Sequence, residues 1–238
     1  MTETVTLYQF ELCPYCHKVR AGLDLKGIGY ERVDVSPMNK KELPKLPEDA
    51  PKKVPVLKVG DRIVYDSTDI LEYLDEVKPE QVPFIPKEEA AAAKSREIEQ
   101  WVDDELTFSM PTVIYGTWGE AAKAAQVTAR TSNFGLMENL AVRAGGSLIM
   151  HQVAKRILAK RNKTDAHAWM AENLDRVEAW LGDADFLGGD APDLADAAVH
   201  GAVTCMAEFP AFTNVQKRPK LLAWYQRVAD LRAQNRPN

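Results

Sequence analysis

The chain has 238 residues, of which 45% are hydrophobic and 27% charged, so it can form one large globular domain or two modest ones. Its formal net charge of -5 excludes the basic surface that nucleic-acid binding requires. No apolar run approaches the roughly 20 residues of a membrane span, and the first residues do not resemble a signal peptide, so we expect a cytoplasmic protein without a membrane partner.

The N-terminal third of the chain alternates strand and helix signals. Residues 5–10 and 30–35 are β-branched and aromatic and predict strands, while the apolar residues of 13–27 recur at helical spacing. Two more strands flank the hairpin signal Gly60-Asp61, and Asp66-Ser67 then caps a helix. The predicted order is strand, helix, strand, short helix, strand, strand, helix. This is an α/β domain with one parallel strand pair and an antiparallel hairpin.

A stretch with three prolines in nine residues, 78–86, predicts a linker. Every long segment beyond it has helical periodicity, which predicts helices at about 87–110, 118–130, 133–160, 165–182, 193–208 and 218–233. Pro111 and Gly145-Gly146 are expected to kink or break their helices. The predicted organisation is therefore an α/β domain at 1–77, a linker at 78–87 and an all-α domain at 88–238.

Cys13 and Cys16 stand at C-x-x-C spacing, directly after the first strand and at the start of the first helix. A zinc site is one interpretation, but it needs four ligands and only His17 is near the pair. A thiol redox site fits the position better, because the N–H groups and dipole at a helix N-terminus stabilise a thiolate. We therefore predict Cys13 as the nucleophile and Cys16 as the buried resolving thiol. The odd total of three cysteines also indicates a reducing compartment.

Two further elements predict a binding site for a short peptide. Val54-Pro55 leads the third strand, where a thioredoxin-like order carries a cis proline and the backbone of Val54 can pair with an extended peptide. Asp66-Ser67 begins a helix, so that Ser67 can bind a carboxylate and Asp66 an ammonium group. An edge proline and an ordinary N-cap are the alternative interpretations. The conjunction of these elements with the cysteines favours a single tripeptide site.

These motifs, followed by an all-helical half, resemble the glutathione-transferase superfamily. A further resemblance is the stretch Phe186 to Asp196, with its Phe-Leu-Gly-Gly sequence and a capping box at Asp193 and Asp196. Nearly the whole chain is similar to the membrane-associated type 2 prostaglandin E synthase family, notably at Lys53-Val54-Pro55, Gln100 to Leu106 and Pro192 to Gly201. The resemblance implies the glutathione-transferase architecture, a thioredoxin-like α/β domain followed by an all-α domain, and a homodimer.

The resemblance also implies a glutathione site in the N-terminal domain. Cys13 is then the catalytic cysteine, and glutathione, as cosubstrate, contacts Val54, Asp66 and Ser67. The same site includes Tyr15, Lys53 and Pro55 as candidate binding residues. Members of the prostaglandin E synthase family also hold haem together with glutathione, and we carry this over on resemblance alone.

Three functions are compatible with these residues. In the first, a cysteine-type transferase with thiol-disulfide exchange activity, the Cys13 thiolate attacks a disulfide or electrophilic small molecule and glutathione resolves the product. In the second, a conjugating or isomerising transferase, glutathione itself is the nucleophile, and Tyr8 or Tyr15 is the candidate hydroxyl donor. The third is a non-enzymatic glutathione- or haem-binding protein. The cysteine at the first motif position, where other classes have Tyr or Ser, favours the first function.

Overall fold

The computed structural model describes residues 3–48, 50–81, 83–132 and 134–237. The N-terminal part consists of β1 (Val5–Gln9), α1 (Pro14–Leu25), β2 (Glu31–Asp34), β3 (Val56–Val59), β4 (Arg62–Tyr65) and α2 (Ser67–Val77). The strand order in the sheet is β2-β1-β3-β4, with β1 parallel to β2 and antiparallel to β3. The β3–β4 hairpin turns at Gly60, whose φ of 56° is a conformation that favours glycine. The thioredoxin-like arrangement is confirmed.

The short helix predicted between β2 and β3 is wrong for the described residues of that connection. They form turns instead, and the N–H of Lys40 donates to the carbonyl of Ser36 at 3.1 Å. A helix interior needs an N–H at each position, and this connection contains five residues that lack one: Pro37, Pro44, Pro47, Pro51 and Pro55. Asp49, in the same connection, lies outside the described residues.

The C-terminal part is built from helices. These are α3 (Glu89–Trp101), α4 (Thr107–Ile114), α5 (Trp118–Thr131), α6 (Leu136–Lys160), α7 (Ala166–Leu181), α8 (Leu194–Cys205), α9 (Thr213–Gln216) and α10 (Pro219–Asn235). A π-helical turn, Val102–Leu106, joins α3 to α4. The predicted helices are present, although the predicted start at Asn133 lies outside the described residues. Nowhere in the described ranges is a helix long and apolar enough to cross a membrane.

The predicted helix breaks are not observed. α6 runs through Gly145-Gly146 without interruption, because Gly146 packs tightly on α5, where an added Cβ would lie 3.2 Å from the Cβ of Ala125. Pro111 lies inside α4 and does not end it. The chain instead adopts the π-helical turn shortly before the proline, and the Thr107 hydroxyl donates to the carbonyl of Asp103 within that turn at 2.9 Å.

The connection at 78–87 is held against both halves, although Val82 within it is not among the described residues. The N–H groups of Phe84 and Ile85 donate to the two carboxylate oxygens of Asp75 at 2.9 and 3.0 Å. The carbonyl of Phe84 accepts from the N–H of Leu194, the first residue of α8, at 3.0 Å. The predicted linker therefore packs in a fixed position between the two halves.

α1 is the element through which the two halves contact each other. Every residue from Cys16 to Leu25 is buried, because α1 packs on α2 and the sheet on one side and on α8 and α10 on the other. The crossing with α8 is so close that a Cβ on Gly201 would lie 2.4 Å from the backbone nitrogen of Lys18. The helix that carries the cysteine pair is therefore fixed by both halves at once.

Candidate functional site

Cys13 occupies the N-cap position of α1. Its backbone is extended, with φ of -102° and ψ of 115°, and Pro14 takes the first helical position, where a missing N–H has no cost. The Cys13 side chain is half-buried and Cys16 is fully buried, with both present as free thiols. The Sγ of Cys16 accepts a hydrogen bond from the N–H of Phe10 at 3.4 Å. The predicted difference in exposure between the two cysteines is confirmed.

The two cysteines also differ in electrostatics. The side-chain hydrogen bond from Cys16 lowers the pKa of Cys13, and the N–H groups of Cys16 and Tyr15 and the charge of Arg20 act in the same direction against the effect of burial. Burial raises the pKa of Cys16 well above its usual value, and its hydrogen bond to Cys13 adds to this increase. The geometry therefore favours a Cys13 thiolate with a protonated Cys16 beside it.

A cavity of about 280 Å³ lies at the N-terminus of α2. Its lining includes all six predicted binding residues: Tyr15, Lys53, Val54, Pro55, Asp66 and Ser67. Three residues that the sequence analysis did not assign complete it: Pro51, Tyr65 and Asp103. Neither Cys13 nor Cys16 lines this cavity, but Tyr15 between them does. The Val54–Pro55 peptide bond is cis, as the sequence predicts.

The start of α2 has an unusual backbone. Asp66 has a φ of 80°, in the left-handed region that residues with a side chain seldom occupy and that costs on the order of 1–3 kcal/mol. Its carboxylate caps the helix by accepting from the N–H of Thr68 at 2.8 Å. Ser67 is the first helical residue and is buried. Backbone strain of this kind is characteristic of binding sites, where the surrounding structure maintains it.

A buried polar network lies directly beneath this turn. The ammonium group of Lys18, on α1, donates to the hydroxyl of Thr68 at 3.0 Å and forms an ion pair with the carboxylate of Glu99, on α3. The Thr68 hydroxyl also donates to Glu99. Because the N–H of Thr68 is the partner of Asp66, this network fixes the start of α2 relative to the helical half.

Asp103, in the π-helical turn, is the acidic residue that the helical half contributes to the cavity. Its Oδ1 is buried and has no hydrogen-bond partner among the described residues. Burial raises the pKa of Asp103 to about 6, an effect that Lys18 opposes and Glu99 reinforces. Asp103 does not stand out in the sequence, because it begins a run of three acidic residues, which is typical of a solvated helix face.

The two candidate tyrosines are in different environments. The hydroxyl of Tyr15 lies 3.3 Å from the hydroxyl of Thr107 on α4, and burial raises the pKa of Tyr15. Tyr15 therefore contacts the helical half with its hydroxyl, the group that is the candidate donor to a thiolate. Tyr8 is half-buried on β1, where it pairs with Val33 of β2 and Val56 of β3.

The cavity does not suit haem or a metal ion. Haem iron takes His, Cys, Met or Tyr as its axial ligand, and of these only tyrosines appear in the described lining. At about 280 Å³ the cavity is also at the lower end of the size range of ligand pockets. Within the part of the chain that the structure describes, no group of three or more His, Cys, Asp or Glu residues could hold a metal ion.

Comparison with known proteins gives matches in both halves. The models for the glutathione S-transferase N-terminal and C-terminal domains match residues 7–82 and 148–231. Prostaglandin E synthase 2 of Mus musculus is 26% identical over 94% of this chain and 69% of its own length. Glutathione S-transferase U13 of Arabidopsis thaliana is 26% identical over 94% of this chain and 86% of its own length. The structure of rice GST1 in complex with glutathione has a TM-score of 0.60 at 21% identity, covers 100% of this chain and 92% of its own, and shows the same fold.

Proposed function

Because this chain belongs to the glutathione transferase superfamily, we propose that it is a glutathione-dependent transferase of the cysteine type, in which the Cys13 thiolate reacts beside bound glutathione. One observation carries the proposal: the half-buried Cys13 thiol stands at the N-cap of α1 beside the fully buried Cys16, and these surroundings lower the pKa of Cys13 and raise that of Cys16. This asymmetry is what thiol-disulfide exchange requires of an attacking and a resolving cysteine.

In this proposal glutathione occupies the cavity at the start of α2. Its γ-glutamyl carboxylate binds the hydroxyl and N–H of Ser67, where the helix dipole favours an anion. Its ammonium group lies between the carboxylates of Asp66 and Asp103, the second of which has an oxygen without a partner in the described structure. The backbone of Val54 pairs with the extended peptide, and the ammonium group of Lys53 faces the glycyl carboxylate.

The reaction proceeds by two exchanges. The Cys13 thiolate attacks the glutathione sulfur of a mixed disulfide, which forms a Cys13–glutathione disulfide and releases the substrate as a thiolate that takes up a proton. The thiolate of a second glutathione then attacks the glutathione sulfur of this intermediate, which releases glutathione disulfide and regenerates the Cys13 thiolate. With an electrophilic carbon as substrate, the Cys13 thiolate displaces the leaving group, which departs with its electron pair, and the glutathione thiolate then displaces Cys13 from the carbon to give the glutathione thioether.

Two assays at one glutathione concentration test the proposal. We expect the purified protein to reduce a glutathione mixed disulfide faster than it conjugates glutathione to an aromatic halide, because Cys13 stands where glutathione's own sulfur would otherwise be activated. Dominant conjugation would contradict the proposal in favour of glutathione as the nucleophile. Glutathione binding without either activity would overturn it in favour of a binding protein.

We further propose that the protein is a cytoplasmic homodimer that acts on a small-molecule electrophile or disulfide. The three cysteines are free thiols, which fits a reducing compartment. α6 carries apolar side chains that are at least half exposed, at Leu136, Met137, Leu140, Leu148 and Ile149. Burial of such a surface against a second copy favours association, and two-fold pairs are the commonest assembly.

A further inference from the structure

A second cavity, of about 430 Å³, has no lining residue in common with the cavity at the start of α2, where we propose that glutathione binds. It lies where the loop before α1, the segment from Ile28 to Arg32 and the C-terminal end of α10 meet. Four arginines line it: Arg20, Arg32, Arg232 and Arg236. The proposed glutathione contacts do not use this cavity, and of its lining residues only Arg20 acts on the site described above, through the effect of its charge on the pKa of Cys13.

The charges around this cavity do not balance. Glu11 accepts from Arg20 at 3.1 Å and lies 3.7 Å from Arg32. Asp24 pairs with Arg232 at 2.8 Å and with Arg236 at 2.7 Å. Two carboxylates therefore face four guanidinium groups, which stay protonated at any physiological pH. Among the described residues, these ion pairs leave an excess of two positive charges.

The pairs that Arg20 and Arg232 form are buried, whereas the excess belongs to Arg32 and Arg236, which are 47% and 58% exposed. The side chains of Arg20 and Arg232 are only 7% and 11% exposed. The Nε of Arg20 has no hydrogen-bond partner among the described residues, although it is shielded from solvent. His17 and His200, which also contact these arginines, offer no compensation: burial, together with the arginine charges, lowers the pKa of each well below its usual value. Arg32 and Arg236 share their carboxylates with these two buried arginines, and a bound anion would supply the missing counter-charge.

We propose that this cavity binds the phosphate group of a small phosphomonoester, with the four guanidinium groups as its ligands. A phosphomonoester carries close to two negative charges at pH 7, which matches the excess, whereas a carboxylate carries one. Its three free oxygens can accept from several guanidinium forks at once. The volume leaves room for a small organic group, for which Ile28 and Pro237 supply apolar contacts.

Calorimetric titration with inorganic phosphate and glycerol 3-phosphate tests the proposal, with succinate and acetate as carboxylate probes at constant ionic strength. Arg32→Gln and Arg236→Gln are suitable variants, because these side chains are 47% and 58% exposed and each change leaves the carboxylate on the other side of its ion pair with a second arginine. Arg96→Gln is the matched control, since Arg96 is 50% exposed and pairs with Glu72 outside this cavity.

We expect both phosphates to bind, about tenfold or more weakly in each of the two variants and unchanged in Arg96→Gln, as the loss of a charge-assisted hydrogen bond predicts. Saturating glutathione should leave the affinity for phosphate unchanged, because the two cavities share no lining residue. Absence of phosphate binding, an equal loss in Arg96→Gln, or succinate binding as tightly as phosphate would overturn the proposal.

Discussion

Cys13 and Cys16 differ because only one of them lies inside the helix. Cys13 precedes the first turn of α1 and receives hydrogen bonds, whereas Cys16 faces the interior and its pKa is raised by burial. Their chemistry can therefore be separated by substitution.

Replacement of Cys13 by Ser should abolish the glutathione-dependent reduction of a mixed disulfide, while Cys16→Ser should retain much of it, because glutathione itself can resolve the intermediate. The rates of the two variants and the wild type, measured with the same substrate, check this. In the wild type, iodoacetamide at neutral pH should modify Cys13 before Cys16 and Cys205, which mass spectrometry can locate. Wild-type activity in Cys13→Ser would contradict the assigned nucleophile.

In the proposed binding mode, we expect Asp103 to make glutathione binding depend on pH. Its carboxylate binds an ammonium group only when ionised, and its pKa is raised to about 6. Affinity for glutathione should therefore increase as the pH rises through about 6 and decrease below it. Asp103→Asn should lose this dependence and bind glutathione about tenfold more weakly at pH 7.5, as calorimetry at several pH values would show.

The stability of the same variant provides the control. Because the pKa of Asp103 is higher in the folded protein than in the unfolded chain, the folded state binds more protons between about pH 4 and 6, and ionisation of Asp103 destabilises it as the pH rises through that window. Asp103→Asn should therefore be more stable at pH 7 than the wild type, by about 1–2 kcal/mol. Weaker glutathione binding in a less stable variant would indicate structural damage and not a lost contact.

Among the secondary-structure elements, α1, α2 and α3 depend on one another through Lys18, Thr68 and Glu99. Replacement of Glu99 by Gln leaves the buried Lys18 ammonium without its principal counter-charge, which typically costs about 3–5 kcal/mol. We expect a loss of this size in the free energy of unfolding, measured with urea. The double variant Lys18→Met/Glu99→Leu should lose less than Glu99→Gln, because no unpaired charge remains. A change of less than about 0.5 kcal/mol in Glu99→Gln would show that the pair is unimportant.

Sequence patterns predicted most elements because hydrophobic periodicity and turn residues are local signals. They failed between β2 and β3, where prolines override a helical pattern, and at Gly145-Gly146, where close packing on α5 outweighs the low helix propensity of glycine. In the site, motif residues at fixed positions were predictable, and the structure brings six of them to one cavity. Asp103 was not, because the helical half brings it to the cavity through tertiary packing, which leaves no mark on neighbouring residues.

For the whole molecule, the apolar surface of α6 bears on assembly. Leu140 and Leu148 are 63% and 52% exposed on this helix. If a second copy covers them, Leu140→Glu/Leu148→Glu should convert a dimer into a monomer, because two buried carboxylates without partners oppose association. Light scattering at micromolar concentration measures this, with Lys217→Glu, an exposed residue at the end of α9, as the control. A monomeric wild type would refute the homodimer.

The contact between α1 and α8 predicts an unusual sensitivity at one glycine. In Gly201→Ala the new Cβ would lie 2.4 Å and 2.7 Å from the backbone N and Cα of Lys18, and backbone atoms cannot rotate away. We expect a loss of about 1–3 kcal/mol or more in the free energy of unfolding, accompanied by weaker glutathione binding. Gly145→Ala is the matched control, since nothing lies within 4 Å of its Cβ, and it should be neutral or slightly stabilising. Equal effects of the two substitutions would contradict the claim that the backbone of Lys18 leaves no room for a side chain at residue 201.

The same crossing limits how this protein can evolve. A helical half acquired by recombination would fit against α1 only if it carried a residue without a side chain at the position of Gly201. The N-terminal half on its own would expose the face of α1 that α8 and α10 now cover. Exchange of either half between distant relatives should therefore fail unless both sides of the contact are exchanged together. The two hydrophobic clusters also cross the boundary, since Leu194 and Ala197 of α8 pack in the cluster of the N-terminal half.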